Sequence, residues 1–368
     1  MSIIDSVRKD ILELDFYKAG KSIKKKGQSI KLSSNENLLG SSPLALKAIK
    51  NELNKKLNIY PDSKMLDLKN VLVSFLKDYN ISITNENIVF GDGSGEVISM
   101  IFSLFISEDF NLILPEKSFI LYYLQSKCKG AQLYEVERTD FAIDLNKILK
   151  KSDEIKGKKI ILFANPDNPA STFISKNEIE VFLQNIPQEI PVIIDEAYIH
   201  FAGLNNSVIP LIEKYPNLIV IQTFSKAFGL ASLRVGYGIM NADLIYQIEK
   251  IRLPFNLGNL QQIGAINALK DKEFLEKTLK FVKEGKIFLK KGFDRLNIKY
   301  SEPYANFFFV DFGEKASEII SFLSEAGISI RHLVDFGYPE NFVRITIGLP
   351  SHNKILLKRI EEFYGRKN

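Results

Sequence analysis

The chain has 368 residues, 45% of them hydrophobic and 25% charged, with a formal net charge of +5. That balance fits an ordinary globular protein with one large core or two smaller ones, and the interspersed lysines and acids argue against a nucleic-acid surface. A single cysteine and three histidines exclude a disulfide framework, a multi-cysteine zinc site and any paired-histidine metal motif.

The opening residues Met1-Ser2-Ile3-Ile4-Asp5 lack the basic-then-apolar layout of a signal peptide. The longest apolar stretch, around 97–106, is too short to cross a bilayer. With the lone Cys128 pointing to a reducing compartment, a cytoplasmic protein without membrane contact is expected. The segment before about residue 30 reads as helical and then irregular.

From about Asn87 to Met240, short apolar runs alternate with longer amphipathic segments. The runs are Ile88-Val89-Phe90, Leu112-Ile113-Leu114, Ile160-Ile161-Leu162-Phe163, Val192-Ile193-Ile194 and Leu218-Ile219-Val220-Ile221. Runs bounded by Gly, Pro or Asp and spaced for a crossover helix predict a mostly parallel sheet covered on both faces. Most end in polar residues, and in a parallel sheet those ends share one edge. After about Ala265 a long helical region is followed by alternating runs at Phe307-Phe308-Phe309-Val310 and Phe342-Val343-Arg344-Ile345-Thr346-Ile347, which read as a smaller α+β domain.

Lys226 leaves the last strand of the parallel set in Thr223-Phe224-Ser225-Lys226. A lysine there is either a buried cation needing a partner or an amine waiting for a carbonyl. Asp195 closes another strand and reads either as a cap or as the partner of a protonated ring nitrogen. Tyr198 is either a core aromatic with a wet hydroxyl or a donor to a phenolate-like oxygen. Gly93-Ser94-Gly95-Glu96 is a tight strand-to-helix turn or an anion site at a helix N-terminus. Arg234 suits a surface ion pair or, with Thr223 and Ser225, the same anion. Together these roles describe a pyridoxal-phosphate site.

These motifs resemble those of the fold-type I aminotransferases, and within them the histidinol-phosphate aminotransferase family. The marks are Leu32-Ser33-Ser34-Asn35-Glu36-Asn37, Tyr60-Pro61-Asp62, Gly91-Asp92-Gly93-Ser94-Gly95-Glu96, Asn165-Pro166-Asp167-Asn168-Pro169, Asp195-Glu196-Ala197-Tyr198, Ser225-Lys226-Ala227-Phe228-Gly229 and Arg234-Val235-Gly236-Tyr237. Val343-Arg344-Ile345-Thr346-Ile347-Gly348 completes the set. The resemblance implies an α/β fold whose large domain holds a mostly parallel seven-stranded sheet, with a smaller α+β domain. The large cofactor-binding domain is expected at 33–274, with 1–32 and 275–368 forming the N-terminal arm and small domain.

By the same resemblance, Lys226 carries the cofactor, Asp195 holds its ring proton, and Tyr198 and Asn168 bind its ring oxygen. Phe119 stacks on the ring, while Ser94, Gly95, Thr223, Ser225 and Arg234 hold the phosphate. Tyr60 reaches that phosphate from a neighbouring subunit, which implies a homodimer with shared active sites. Arg344 grips the α-carboxylate of glutamate; Arg331 and Tyr17 help bind a substrate phosphate. Ala170-Ser171-Thr172 departs from the small-residue-then-Gly of the family's Asn-Pro turn.

The activity expected is amino-group exchange between glutamate/2-oxoglutarate and a small phosphorylated amino alcohol or its keto form. Histidinol phosphate is the first expectation and a three-carbon keto-phosphate such as dihydroxyacetone phosphate the second. Decarboxylation of a phosphorylated amino acid is the alternative reaction at the same cofactor.

Overall fold

The computed structural model describes residues 2–12, 14, 29–53, 55, 57–107 and 109–365. Twelve strands are present among them: β1 (Ile30–Leu32), β2 (Ile88–Asp92), β3 (Asn111–Pro115), β4 (Gln132–Val136), β5 (Lys159–Ala164), β6 (Val192–Asp195), β7 (Leu218–Thr223), β8 (Val235–Ile239), β9 (Lys299–Tyr300), β10 (Phe307–Asp311), β11 (Ile328–His332) and β12 (Phe342–Thr346). They form a seven-stranded sheet ordered β2-β8-β7-β6-β5-β3-β4 and a five-stranded sheet ordered β1-β11-β12-β10-β9.

The five apolar runs between Ile88 and Ile221 all lie in strands, with their side chains buried on both faces. Ile160 through Phe163, Val192 through Ile194 and Leu218 through Ile221 are all essentially inaccessible. The central ladder is parallel, with Ala164 beside Asp195 and Asp195 beside Ile221. Within the seven-stranded sheet β8 alone among the described strands runs against its neighbours, pairing antiparallel with both β2 and β7. Its Gly236 lets it pass close to the helix Gly93–Phe105, since a Cβ there would lie 2.2 Å from the Ser94 nitrogen.

Strand β4 and the glycine-rich β8 were not among the runs named from sequence. The edge strand β4 keeps only Val136 buried, so no continuous apolar run marks it. In the smaller sheet β1 pairs parallel with β11, and the remaining pairs are antiparallel. Phe308, Val310, Val343 and Ile345 fill its core with the long helix Lys272–Arg295 and the helix Pro350–Gly365.

Two turns tie the sheets together. Asn35, just past β1, is buried with φ +55. Its backbone N–H donates to Thr346 Oγ1 at 2.9 Å and its carbonyl accepts from Asn306 Nδ2 at 3.2 Å. Ser171 sits at φ +61, the left-handed region where the family's glycine would be at ease. Its hydroxyl accepts from the Ala305 N–H at 3.0 Å and donates to the Phe307 carbonyl at 3.3 Å. Those bonds offset the left-handed cost of about 1–2 kcal/mol.

A buried carboxylate stitches the strand ends beside the site. Glu196 is fully inaccessible; it accepts from Ser207 Oγ at 2.6 Å, Gln222 Nε2 at 2.8 Å and the Val208 N–H at 2.8 Å. Gln222 in turn accepts from Tyr237 Oη at 2.6 Å, so the network reaches from the ends of β6 and β7 to the middle of β8. Burial pushes the Glu196 carboxyl from 4.5 up to about 7, against the pull of its three donors. A carboxyl raised by folding gives stability that is fully present below its unfolded value and lost as pH rises through its folded one. Between pH 4.5 and 7 this group should therefore lower stability, by on the order of a few kcal/mol. Glu196→Gln should flatten that slope in urea midpoints measured across the window, whatever its absolute stability; an unaltered slope would contradict the assignment.

Candidate active site

A cavity of about 310 Å3 opens where the carboxyl ends of β5, β6 and β7 face the smaller sheet. Ser94, Gly95, Phe119, Asn168, Asp195, Tyr198, Thr223, Ser225, Lys226, Arg234, Arg331 and Arg344 all line it. Tyr60 does not: it is 78% exposed, stacked on Phe255 at 4.4 Å, in a separate surface groove that also reaches Arg234. Tyr17 lies outside the described residues.

Lys226 stands in a tight loop after β7. Phe224 and Phe228 are buried on either side of it, and the Leu230 N–H closes the loop on the Phe224 carbonyl at 3.0 Å. Gly229 has φ +68, and a Cβ there would lie 2.1 Å from the Gly40 carbonyl oxygen, so the loop admits no side chain at that point. The Lys226 Nζ donates to the Ser34 carbonyl at 3.4 Å and stands 5.5 Å from the centre of the Tyr198 ring. It is half-buried and faces the cavity, as a nucleophilic amine requires.

Asp195 is 5% exposed at the end of β6. It accepts from Tyr122 Oη at 2.7 Å and from the Ala197 N–H at 2.9 Å. Burial raises its carboxyl above the ordinary range, while those two donors and the Lys226 charge pull it back. A carboxylate so placed fits a cationic ring nitrogen. Tyr198, three residues on, packs edge-on against Phe307 and accepts from Asn35 Nδ2 at 3.0 Å.

The opposite wall is built for an anion. The helix Gly93–Phe105 starts at the cavity with Ser94 and Gly95 in its first turn, where free N–H groups and the dipole favour negative charge. Arg234 Nη1 lies 3.4 Å from Ser225 Oγ, and Thr223 Oγ1 lies 3.0 Å from the same hydroxyl. Gly93, at φ +73, has no room for a side chain, since its Cβ would meet the Arg234 guanidinium at 2.1 Å. Hydroxyls, N–H groups and a guanidinium thus converge on one point, with glycines permitting close approach.

At the far end Arg331 and Arg344 lie directly across from one another in the β11–β12 register, 8% and 7% exposed. Arg344 donates to Asn168 Oδ1 at 2.7 Å and to the Ser33 carbonyl at 3.1 Å. Arg331 donates to Asp335 at 3.3 Å and lies over the Phe336 ring.

Two residues in contact with this set were not singled out from sequence. Tyr122 falls three residues after Phe119, the residue capping the helix Ile120–Cys128, and the two rings meet edge-on at 5.6 Å. That spacing was the available signal. Asn35 lay inside a recognised motif, but its bond to Tyr198 depends on a turn that only the fold reveals.

Residues 28–360 match the family described as aminotransferase class I and II. The histidinol-phosphate aminotransferase of Brevibacillus brevis is 36% identical over 335 residues, which are 90% of each chain. Among solved structures, the histidinol-phosphate aminotransferase of Clostridium acetobutylicum superposes with a TM-score of 0.83 at 26% identity, over 92% of this chain and 99% of that one. The Sinorhizobium meliloti histidinol-phosphate aminotransferase, solved with pyridoxal-5'-phosphate, gives a TM-score of 0.86 at 24% identity, over 97% and 98%. The cavity here fits that cofactor: an amine, a buried carboxylate and a glycine-lined anion cradle border one space of suitable size. The chain belongs to the histidinol-phosphate aminotransferase family of class I and II aminotransferases, and is a pyridoxal-phosphate-dependent enzyme of fold type I.

Proposed function

We propose that this aminotransferase exchanges an amino group between glutamate/2-oxoglutarate and histidinol phosphate. The observation that carries the proposal is the opposed, buried pair Arg331 and Arg344 on the cavity wall facing Lys226. Two guanidinium forks suit a phosphate on one substrate and a carboxylate on the other, and both substrates use the same space in turn. The names of the curated relatives favour histidinol phosphate over a three-carbon keto-phosphate.

In this reading Lys226 holds the cofactor through its amine and, once displaced by the substrate's amine, moves the proton at the substrate Cα. Pyridoxal phosphate, when bound, supplies the aldehyde for that amine and a protonated ring that withdraws electrons from the carbon losing its proton. Asp195 keeps the ring nitrogen protonated, with Tyr122 holding the carboxylate in place. Tyr198 and the amide nitrogen of Asn168 donate to the ring oxygen, since the Asn168 oxygen already accepts from Arg344. Phe119 covers the ring face. Ser94, Gly95, Thr223, Ser225 and Arg234 take the phosphate; Arg344 takes the glutamate carboxylate, and Arg331, with Tyr17, the substrate phosphate. One buried core runs from Ala45 to Leu275 and a second joins Ile30 and Leu32 to residues from Val282 to Phe363, which supports a division into 33–274 and 1–32 with 275–368.

Tyr60 is assigned to the phosphate of a second copy. Its exposure, and the exposed Leu57 (54%), Ile59 (59%) and Leu253 (68%), support a face covered in a homodimer. No helix among the described residues is long and apolar enough to cross a membrane, and a cytoplasmic location is part of the proposal.

Single-turnover bleaching of the loaded enzyme should be fast with glutamate and histidinol phosphate and slow with a non-phosphorylated amino alcohol. Arg331→Ala should cut kcat/KM for histidinol phosphate about 100-fold with a much smaller effect on glutamate. Equal losses on both, or bleaching restricted to a three-carbon substrate, would redirect the assignment.

Lys226→Ala should abolish turnover, and Tyr60→Phe should weaken cofactor binding by roughly tenfold, as loss of one hydrogen bond to a charged group. Mixing the two dissociated variants should return the site that keeps Lys226 to wild-type cofactor affinity, because in each mixed dimer that site receives a native Tyr60 from the other subunit. Mixed dimers whose Lys226 site keeps the weakened affinity of Tyr60→Phe would show that Tyr60 does not serve the opposite subunit.

A further inference from the structure

We infer that Arg138 and Asp167 form a buried clamp that positions Asn168 and Phe119 against the cofactor ring, an inference that rests on those two residues facing the ring as proposed above. Neither residue lines the cavity, yet both side chains are almost wholly inaccessible, at 3% and 2%. The guanidinium meets both carboxylate oxygens, at 3.0 and 3.2 Å, in a fork that fixes the carboxylate's plane as well as its place. Its remaining donors go to the Glu116 carbonyl at 2.8 Å, the Phe141 carbonyl at 3.2 Å and Ser118 Oγ at 3.5 Å. One side chain therefore joins three loops that are far apart in sequence.

Two of those loops carry residues of the site. Asp167 also accepts from the Ala170 N–H at 3.0 Å, closing the turn on whose rim Asn168 sits. Asn168 then receives Arg344 at 2.7 Å, so the chain Arg138–Asp167–Asn168–Arg344 runs along the carboxyl edge of the large sheet, from the end of β4 to the substrate end. Ser118, held between Arg138 and the Pro115 carbonyl at 2.6 Å, immediately precedes Phe119. The third loop brings Phe141 against Phe309 and Phe342 of the smaller sheet. A buried ion pair is a poor source of net stability, since desolvation offsets its attraction. Its value here is directional: it holds loops that lack any regular element of their own in one arrangement, and small misplacement of such groups is costly to turnover.

The test compares Arg138→Lys, Asp167→Asn and the double variant Arg138→Met with Asp167→Leu, which removes both charges and spares the fold an unpaired one. Each is loaded with pyridoxal phosphate and read by thermal melting, by kcat/KM for both substrates and by the visible circular dichroism of the bound cofactor, which reports ring orientation without turnover. Folded variants should show an altered dichroic band and a kcat/KM lower by about tenfold or more for both substrates. A wild-type band in a folded variant overturns the proposal. So does failure of all three to fold, because the pair would then act on the fold and not on the site. Asn168→Ala and Phe119→Ala serve alongside: if these leave the band unchanged, the ring assignments fail and not the clamp.

Discussion

The site depends on a carboxylate kept in a place that disfavours it. Asp195 lies at the end of a strand buried on both faces, between β5 and β7, where desolvation opposes its charge. Among the described residues two groups donate to it directly, Tyr122 and the Ala197 N–H, with Lys226 nearby. Such an arrangement gains from a bound cation, and a protonated pyridine ring is one. The same burial removes water that would screen the interaction. The cost in stability of burying this acid is thus also the source of its affinity.

The second requirement is that two sheets present their groups to one space. The parallel ladder aligns the ends of β5, β6 and β7, which brings Asn168, Asp195 and Lys226 to a common edge. The antiparallel pair β11–β12 sets Arg331 and Arg344 opposite each other. Asn35 couples the two, bonding Thr346 and Asn306 on one side and Tyr198 on the other. Ser171 does the same through Ala305 and Phe307. The two walls of the cavity are therefore held in register by buried polar contacts, which are directional where apolar packing is not.

Much of this was legible in the sequence, for physical reasons. A strand buried on both faces must be an apolar run, and a site at its end must be the polar residues that stop it; Asp195 and Lys226 follow directly. The seven-stranded sheet was reached through family resemblance, because β4 and β8 carry no such run: one is an exposed edge, the other is interrupted by Gly236 and Gly238. Tyr122 was hidden because Leu121-Tyr122-Tyr123 presents two tyrosines, and which one turns inward depends on where the helix begins. The departure at Ser171 looked like a changed turn. The structure keeps the left-handed backbone and compensates it with hydrogen bonds that sequence spacing cannot reveal. Tyr60 sits away from its own chain's cavity, so its assigned role needs a second copy.

The central claim is that the Lys226 amine, and no other lysine, is where the cofactor is attached. Borohydride reduction of the loaded protein followed by peptide mass mapping tests it most directly. A single reduced pyridoxyl-phosphate adduct is expected on the peptide carrying Lys226. An adduct on a different lysine, or an unlabelled Lys226 in fully loaded protein, would contradict it.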